Sequence, residues 1–249
     1  MVGSKAWTKL RVAVVSDVHG NLTALEAVIA DLRSMSPDLV FHGGDLANGG
    51  SQPAEAADRI RDLGWPGVVG NGDELMFRPE SLDEFAARLS HLPQLATMWD
   101  AIREMAARDR ELLGEERLRW LSELPISITE ESFALVHASP VSCWRSPGAE
   151  AEDRALLDTY GAMGRPVVVF GHIHVPFVRR MDGLSVINAG SVSLSYDGDP
   201  RASYLLFDDG TPQIRRVEYD VEREIRGLEG SPHAEWTIRM LRSARPVAL

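Results

Sequence analysis

Cysteine is nearly missing from this chain. Cys143 stands alone among 249 residues, which excludes an internal disulfide framework and predicts a reducing compartment. Long hydrophobic runs are missing as well. No stretch reaches the roughly 18 continuous apolar residues of a membrane span, and residues 1–9 lack the apolar core of a signal peptide. The expected location is cytoplasmic, with no membrane partner. Positive charge is in deficit, with 26 Lys and Arg against 37 Asp and Glu. The formal net charge of -11 argues against broad attraction to nucleic acid or anionic lipid. What is present is an ordinary globular composition, 44% hydrophobic, in a chain long enough to bury a substantial core.

The informative residues sit where apolar runs stop. Val167-Val168-Val169-Phe170 reads as a buried strand and breaks at Gly171 into His172-Ile173-His174. Residues i and i+2 of an extended segment point to the same side, so both imidazoles can be presented to one place. The valine-rich run at 10–16 ends in the same way, in Asp17-Val18-His19-Gly20-Asn21. Leu39-Val40-Phe41 leads into His42-Gly43-Gly44-Asp45, and Gly67-Val68-Val69 leads into Gly70-Asn71-Gly72-Asp73. A fifth run, Phe133-Ala134-Leu135-Val136, ends at His137. In open α/β sheets, ligands bind outside the carboxyl ends of parallel strands. Five such ends bearing aspartate, asparagine and histidine therefore describe one site along one rim.

Between these runs, residues 22–32 and 54–63 carry apolar side chains at helical spacing. Alternating strand and helix predicts a mostly parallel sheet with right-handed crossovers. The alternation pauses over 81–124, where helical stretches are expected at 82–92, 94–110 and 114–121. This helical insertion reads as a layer packed against the sheet, the alternative being a cap over the site or a dimer contact; a homo-oligomer stays open. Further strands are expected at 126–129, 133–136, 184–187, 202–207 and 214–219, with a short helix at 153–163. Asp208-Asp209-Gly210 reads as a hairpin turn, and consecutive strands joined by short turns pair antiparallel, so the back half is expected to be a mixed sheet. Residues 221–249 form a polar C-terminal extension with a helix at 234–243, and 1–249 reads as a single domain.

The ordered blocks resemble those of the calcineurin-like metallophosphoesterases, and among them the small bacterial phosphodiesterase branch. They are Asp17-Val18-His19-Gly20-Asn21, Gly44-Asp45, Gly70-Asn71-Gly72-Asp73, His137, Gly171-His172-Ile173-His174 and Asn188-Ala189-Gly190-Ser191-Val192. The resemblance implies an α/β fold, a four-layer α-β-β-α sandwich with mixed sheets. It also implies one metal held by Asp17, His19 and His174, a second held by Asn71, His137 and His172, and Asp45 bridging them. Hard oxygen donors mixed with imidazoles, without thiolate, suit two first-row divalent metal ions, manganese foremost, with Fe, Zn, Ni or Co as alternatives. Two such ions against two aspartates leave about +2 where a phosphate must sit, which supplies the positive charge the chain lacks. The implied reaction is in-line attack on a small phosphoester substrate by a metal-bridging hydroxide.

One position departs from the pattern. Many relatives carry a histidine directly after the metal-binding asparagine, where this chain has Gly72; members of the narrower branch lack it too. General acid catalysis typically contributes about a hundredfold or more, so its loss favours phosphodiesters with good leaving groups. Asp73 joins Asp45 and Asn71 as a catalytic candidate, orienting a ligand or relaying a proton, against a plain role in binding loop amides. Asn21, Gly72, Gly190 and Ser191 are expected against the phosphate or behind the ligands, Asn21 doubling as a helix cap. His42 reads as a strand-end histidine satisfied by backbone, and His91 and His233 as surface residues. Arg145 and Arg201 are loop arginines that could reach a phosphate, and Cys143 is a plain thiol. A nucleotide or dinucleoside-polyphosphate hydrolase is the alternative, favoured if aromatics among Phe77, Trp99, Trp144 and Tyr196 face the site. A non-catalytic metal-binding protein-interaction scaffold is the alternative of another class, disfavoured because all seven ligand positions are filled.

Overall fold

Strand β1 (Val12–Val15) sorts the layers by its alternation. Val12 and Val14 enter an apolar cluster between two sheets, while Ala13 and Val15 enter one beneath helices. Both faces are covered, so the run is apolar throughout, as expected of a central strand. The computed structural model describes residues 10–249; residues 1–9, where a signal peptide was judged absent, lie outside the described residues.

The first sheet has the order β2 (Leu39–His42), β1, β8 (Ala202–Asp208), β9 (Thr211–Val217). Here β1 and β2 run parallel, and β8 is antiparallel to both of its neighbours. The second sheet has the order β3 (Ser127–Thr129), β4 (Ala134–Val136), β5 (Val167–Phe170), β7 (Leu184–Asn188), β6 (Phe177–Met181). Its three central strands are parallel and its two edges antiparallel. Helices α1 (Leu22–Met35) and α2 (Pro53–Leu63) cover the first sheet through Leu25, Val28, Ala57 and Ile60. Leu135, Val169 and Ile187 meet Val12, Val14 and Leu205 between the sheets. Leu156 and Tyr160 of α6 (Asp153–Tyr160) cover the outer face of the second. The α-β-β-α sandwich with mixed sheets is therefore the observed fold.

One expectation needs correction, and two features go beyond the sequence. Gly67-Val68-Val69 is not a strand: only Gly67 pairs, in a single bridge with His42, and Val69 N–H donates to the Pro125 carbonyl. The chain then turns directly into α3 (Asn71–Phe77), so Asn71 comes from a helix start rather than a strand end. Strand β6 was not anticipated, since Phe-Val-Arg-Arg-Met carries no clean alternation. The C-terminal extension has its expected helix at 234–243 and a second one before it, and both pack onto the body of the fold. Helices α7 (Val221–Leu228) and α8 (Ala234–Ser243) bury Ile225, Leu228, Trp236 and Met240 against Leu194 and Ala101.

Ala101 belongs to the helical insertion, which consists of α4 (Glu80–Arg88), a 3-10 turn at Pro93–Leu95 and α5 (Ala96–Ser122). Gly114 breaks α5 with φ 67° and ψ 169°. Among the described residues, no helix is long and apolar enough to cross a membrane.

Candidate metal centre

The carboxyl ends of β1 and β2 from one sheet meet those of β4 and β5 from the other. The rim thus belongs to both sheets, not to one. The chain turns abruptly as it leaves these strands. Of nine non-glycine residues with positive φ among those described, five are the expected ligands: Asp17 (57°), His19 (50°), Asp45 (53°), His172 (68°) and His174 (57°). Backbone strain of this kind costs of order 1 kcal/mol per residue and gathers at functional sites. Hydrogen bonds between the loops hold it in place. Asp17 N–H donates to the Gly44 carbonyl (3.0 Å) and His19 N–H to that of Asp45 (2.9 Å). His172 N–H donates to both carboxylate oxygens of Asp17, each at 3.1 Å.

The side chains form two groups. In one, His174 Nε2 lies 3.1 Å from both Asp17 Oδ1 and His19 Nε2. In the other, Asn71 Oδ1 lies 2.8 Å from His172 Nδ1 and 3.0 Å from His137 Nε2. Asp45 stands between them, with Oδ2 3.7 Å from His19 Nε2 and Oδ1 3.6 Å from His137 Nε2. Atoms that share an ion at about 2.0–2.2 Å stand roughly 3 Å apart when adjacent in its coordination shell, which is the spacing found.

Backbone carbonyls fix the tautomers. His19 Nδ1 faces the Asn48 carbonyl (3.0 Å), His137 Nδ1 that of Gly43 (2.8 Å) and His174 Nδ1 that of Leu194 (2.6 Å). A carbonyl only accepts, so each Nδ1 carries a proton, and each ring in its neutral form turns a lone pair inward from Nε2. Two such lone pairs 3.1 Å apart on His19 and His174 repel unless a cation lies between them. The donor set therefore fits divalent metal ions.

Charge and burial agree with that fit. Burial pushes His172 down to about 4, helped by the charge on His137, and it lowers His19 as well. Burial alone would depress His137, but Asp45 and Asp17 raise it overall. Asp17 is penalised by burial, yet His174, His137 and His19 bring it below the ordinary carboxylate range. Carboxylates and imidazoles thus share one small buried volume.

The remaining candidates serve mostly to shape loops. Asp73 is buried, and its oxygens accept from the amides of Asp45 (2.8 Å), Leu46 (2.8 Å) and Gly70 (3.1 Å), fixing the Asp45 turn from below; burial, with Asp45 beside it, pushes its carboxyl up to about 7. Asn21 caps α1 by accepting from Ala24 N–H at 2.9 Å and donates to Ser193 Oγ. Ser191 Oγ donates to the Asp17 carbonyl at 2.8 Å, behind the ligands, while Gly190 packs its backbone against Ser203. The His42 ring, expected to be satisfied by backbone, has both nitrogens buried without a partner. His91 is exposed, and His233 pairs with Glu104 at 2.9 Å. Arg201 is paired with Asp199, and Arg145 lies outside the cavity that the metal centre faces. Cys143 is buried and donates to Glu74, and burial pushes its thiol up.

Asn48 went unnoticed in the sequence. A Cβ on Gly72 would collide with its side-chain amide, so Asn48 occupies the space that a histidine at 72 would need. Asn48 also lines the cavity, and its Oδ1 is buried without a partner. The loop carrying it is pinned from two sides. Asp109 of α5 accepts from Gly49 N–H (2.7 Å), and Glu224 of α7 accepts from Ser51 N–H and Oγ (2.8 Å each). The insertion and the C-terminal helices therefore position the carbonyl that orients His19.

Fold and site define a class: an α-β-β-α sandwich with a candidate metal-binding cluster at one rim. The chain belongs to the calcineurin-like phosphoesterase superfamily, whose domain profile matches residues 10–211. An uncharacterised protein of Methanocaldococcus jannaschii is 31% identical over 251 residues, covering 92% of this chain and 96% of that protein. The crystal structure of a metallophosphoesterase from Sphaerobacter thermophilus matches with a TM-score of 0.78 at 28% identity, covering 95% of this chain and 99% of that one. A symmetrical bis(5'-nucleosyl)-tetraphosphatase of Methylococcus capsulatus is 30% identical over 145 residues, 57% of this chain and 48% of that protein.

Proposed function

We propose that this protein is a metal-dependent phosphodiesterase using two divalent ions. One is held by Asp17, His19 and His174, the other by Asn71, His137 and His172, with Asp45 shared. The observation that carries the reading is the placement of Asp45, one oxygen facing each group of ligands at 3.7 and 3.6 Å. Family membership supports phosphoesterase activity. Bound there, the ions would supply Lewis acidity toward a phosphoryl oxygen and a water made nucleophilic near neutral pH. Manganese is the favoured ion, given oxygen and imidazole donors without thiolate. The chain's own residues supply the rest. His19, His137 and His174 hold their lone pairs inward because backbone carbonyls hold their protons outward. Asp73 keeps the Asp45 turn rigid. With Gly72 and the amide of Asn48 in place of an acid, the leaving group must depart with little protonation, which favours aryl or similarly stable leaving groups.

A second reading, a nucleotide-directed hydrolase, has one observation in its favour. Trp99, Trp144 and Tyr196 do line the cavity, whereas Phe77 packs into the core. The deciding experiment is turnover of an aryl phosphodiester against the matching aryl monoester by manganese-loaded protein, alongside metal analysis and Asp45→Asn. The expected outcome is two metals per chain, preference for the diester, and loss of at least about a hundredfold in the variant, in line with the loss of a key electrostatic group. One metal per chain, or full activity in Asp45→Asn, would overturn the reading.

A further inference from the structure

The ligands open into a cavity of about 290 Å³ whose walls do more than hold a phosphate. Phe85 of α4, Trp99 and Met105 of α5, Trp144 after β4, and Trp236 and Met240 of α8 face it. The aromatic wall is already assembled. Phe85 lies 5.1 Å from Trp144 and 6.0 Å from Trp99 between ring centroids. Tyr196 stacks on His174 at 4.6 Å and 23°, carrying the apolar surface down to a ligand.

Cations are missing from these walls. Among the described residues, no arginine or lysine lines the cavity; beside the candidate ligand Asp45, the charged side chain there is Asp109. Yet α5 carries arginines next to its apolar contributors. Arg103 is turned to Asp83 and Asp100, and Arg108 to Asp109 and the Gly50 carbonyl. A polyphosphate chain needs several positive partners along its length, and metals at the floor can serve one phosphoryl group. The volume sits at the low end of the roughly 300–1,000 Å³ usual for small-molecule pockets. It encloses one ring or a short chain, so most of a dinucleoside polyphosphate would lie outside it.

Resting on the phosphoesterase reading above, we propose that this cavity selects phosphoesters whose remaining substituent is an uncharged alkyl or aryl group, and that it disfavours nucleoside polyphosphates. The insertion and α8 build the selecting wall, so the parts of the chain beyond the strand-end ligands set the substrate class.

The test is equilibrium binding to manganese-loaded protein, read by calorimetry and tryptophan fluorescence, of methyl-, butyl-, hexyl- and phenylphosphonate and of diadenosine tetraphosphate. Burying a methylene is worth about three- to fourfold in affinity, so hexylphosphonate is expected to bind at least tenfold tighter than methylphosphonate, with phenylphosphonate similar. Diadenosine tetraphosphate is expected to bind more weakly than hexylphosphonate. Trp99→Ala, or Met105→Gln should the first variant fold poorly, is expected to shrink the chain-length gain at least threefold. Equal binding of methyl- and hexylphosphonate, with aryl diester turnover intact, overturns the cavity proposal and leaves the phosphoesterase standing. Tighter binding of the dinucleotide overturns it in favour of a nucleotide substrate. Absence of both diester turnover and methylphosphonate binding overturns the phosphoesterase reading itself, and the cavity proposal with it.

Discussion

His42 ends β2 with an imidazole that is fully buried and bonded to nothing. Burial alone pushes it down to about 3. A histidine whose folded value lies below its ordinary 6.5 supports stability above that pH and loses it as pH falls toward the folded value. Between pH 7 and 5 the unfolded chain takes up a proton that the folded chain refuses, which costs about 2 kcal/mol. In urea melts of metal-free protein, His42→Leu is expected to lose about 2 kcal/mol less than the parent over that interval. Equal losses in the two proteins would refute this account. The other histidines of the rim were legible as candidate ligands because spacing and strand ends are local features of sequence. The state of His42 was not, since the lack of a partner depends on Gly67 packing against its ring from a distant segment. Asn48 was hidden for the same reason, because its meeting with Gly72 occurs across the fold.

Among the elements, α5 carries the clearest local signal and the clearest strain. The sequence predicts separate helices at 94–110 and 114–121, and the chain does break between them, at Gly114, with backbone angles that suit glycine alone. A Cβ there would meet nothing within 4 Å, so substitution is opposed by the backbone and by no neighbour. Gly114→Ala is therefore expected to destabilise the protein by about 1–3 kcal/mol, read as a fall in the urea midpoint with an unchanged slope. A neutral substitution would show that α5 can straighten through this point. Helices and strands with strong periodicity, such as α1, α8 and β1, could be placed from sequence within a few residues. Those that escaped are short or polar. Helix α3 has seven residues, and α7 is mostly charged on one side. Glu224 of α7 is buried because Ser51, far away in sequence, offers it two hydrogen bonds, and burial raises its carboxyl above the ordinary range. No local pattern announces such a partner.

At the scale of the molecule, the candidate ligands come from both halves of the sandwich. Asp17, His19 and Asp45 follow strands of the first sheet, and His137, His172 and His174 follow strands of the second. Ions bound among them would tie the two sheets together at one end, while Val14, Leu135, Val169 and Leu205 hold the interior between them. Binding to the folded state alone stabilises it by about 4 kcal/mol per site when ligand stands at a thousand times its dissociation constant. For a chain of this size, each kcal/mol shifts the melting temperature by about 2–4 °C. Chelation of manganese-loaded protein with EDTA is thus expected to lower the melting temperature by at least about 8 °C. Hydrogen exchange should locate the loss, with faster exchange at 16–21, 43–48, 137–139 and 171–175 and little change in the middle of β1, β5 and β8. Equal melting temperatures with and without chelator, on protein whose metal content has been measured, would mean that apolar packing alone joins the sheets. Faster exchange spread evenly through both sheets would instead show that the ions stabilise the whole sandwich rather than its rim.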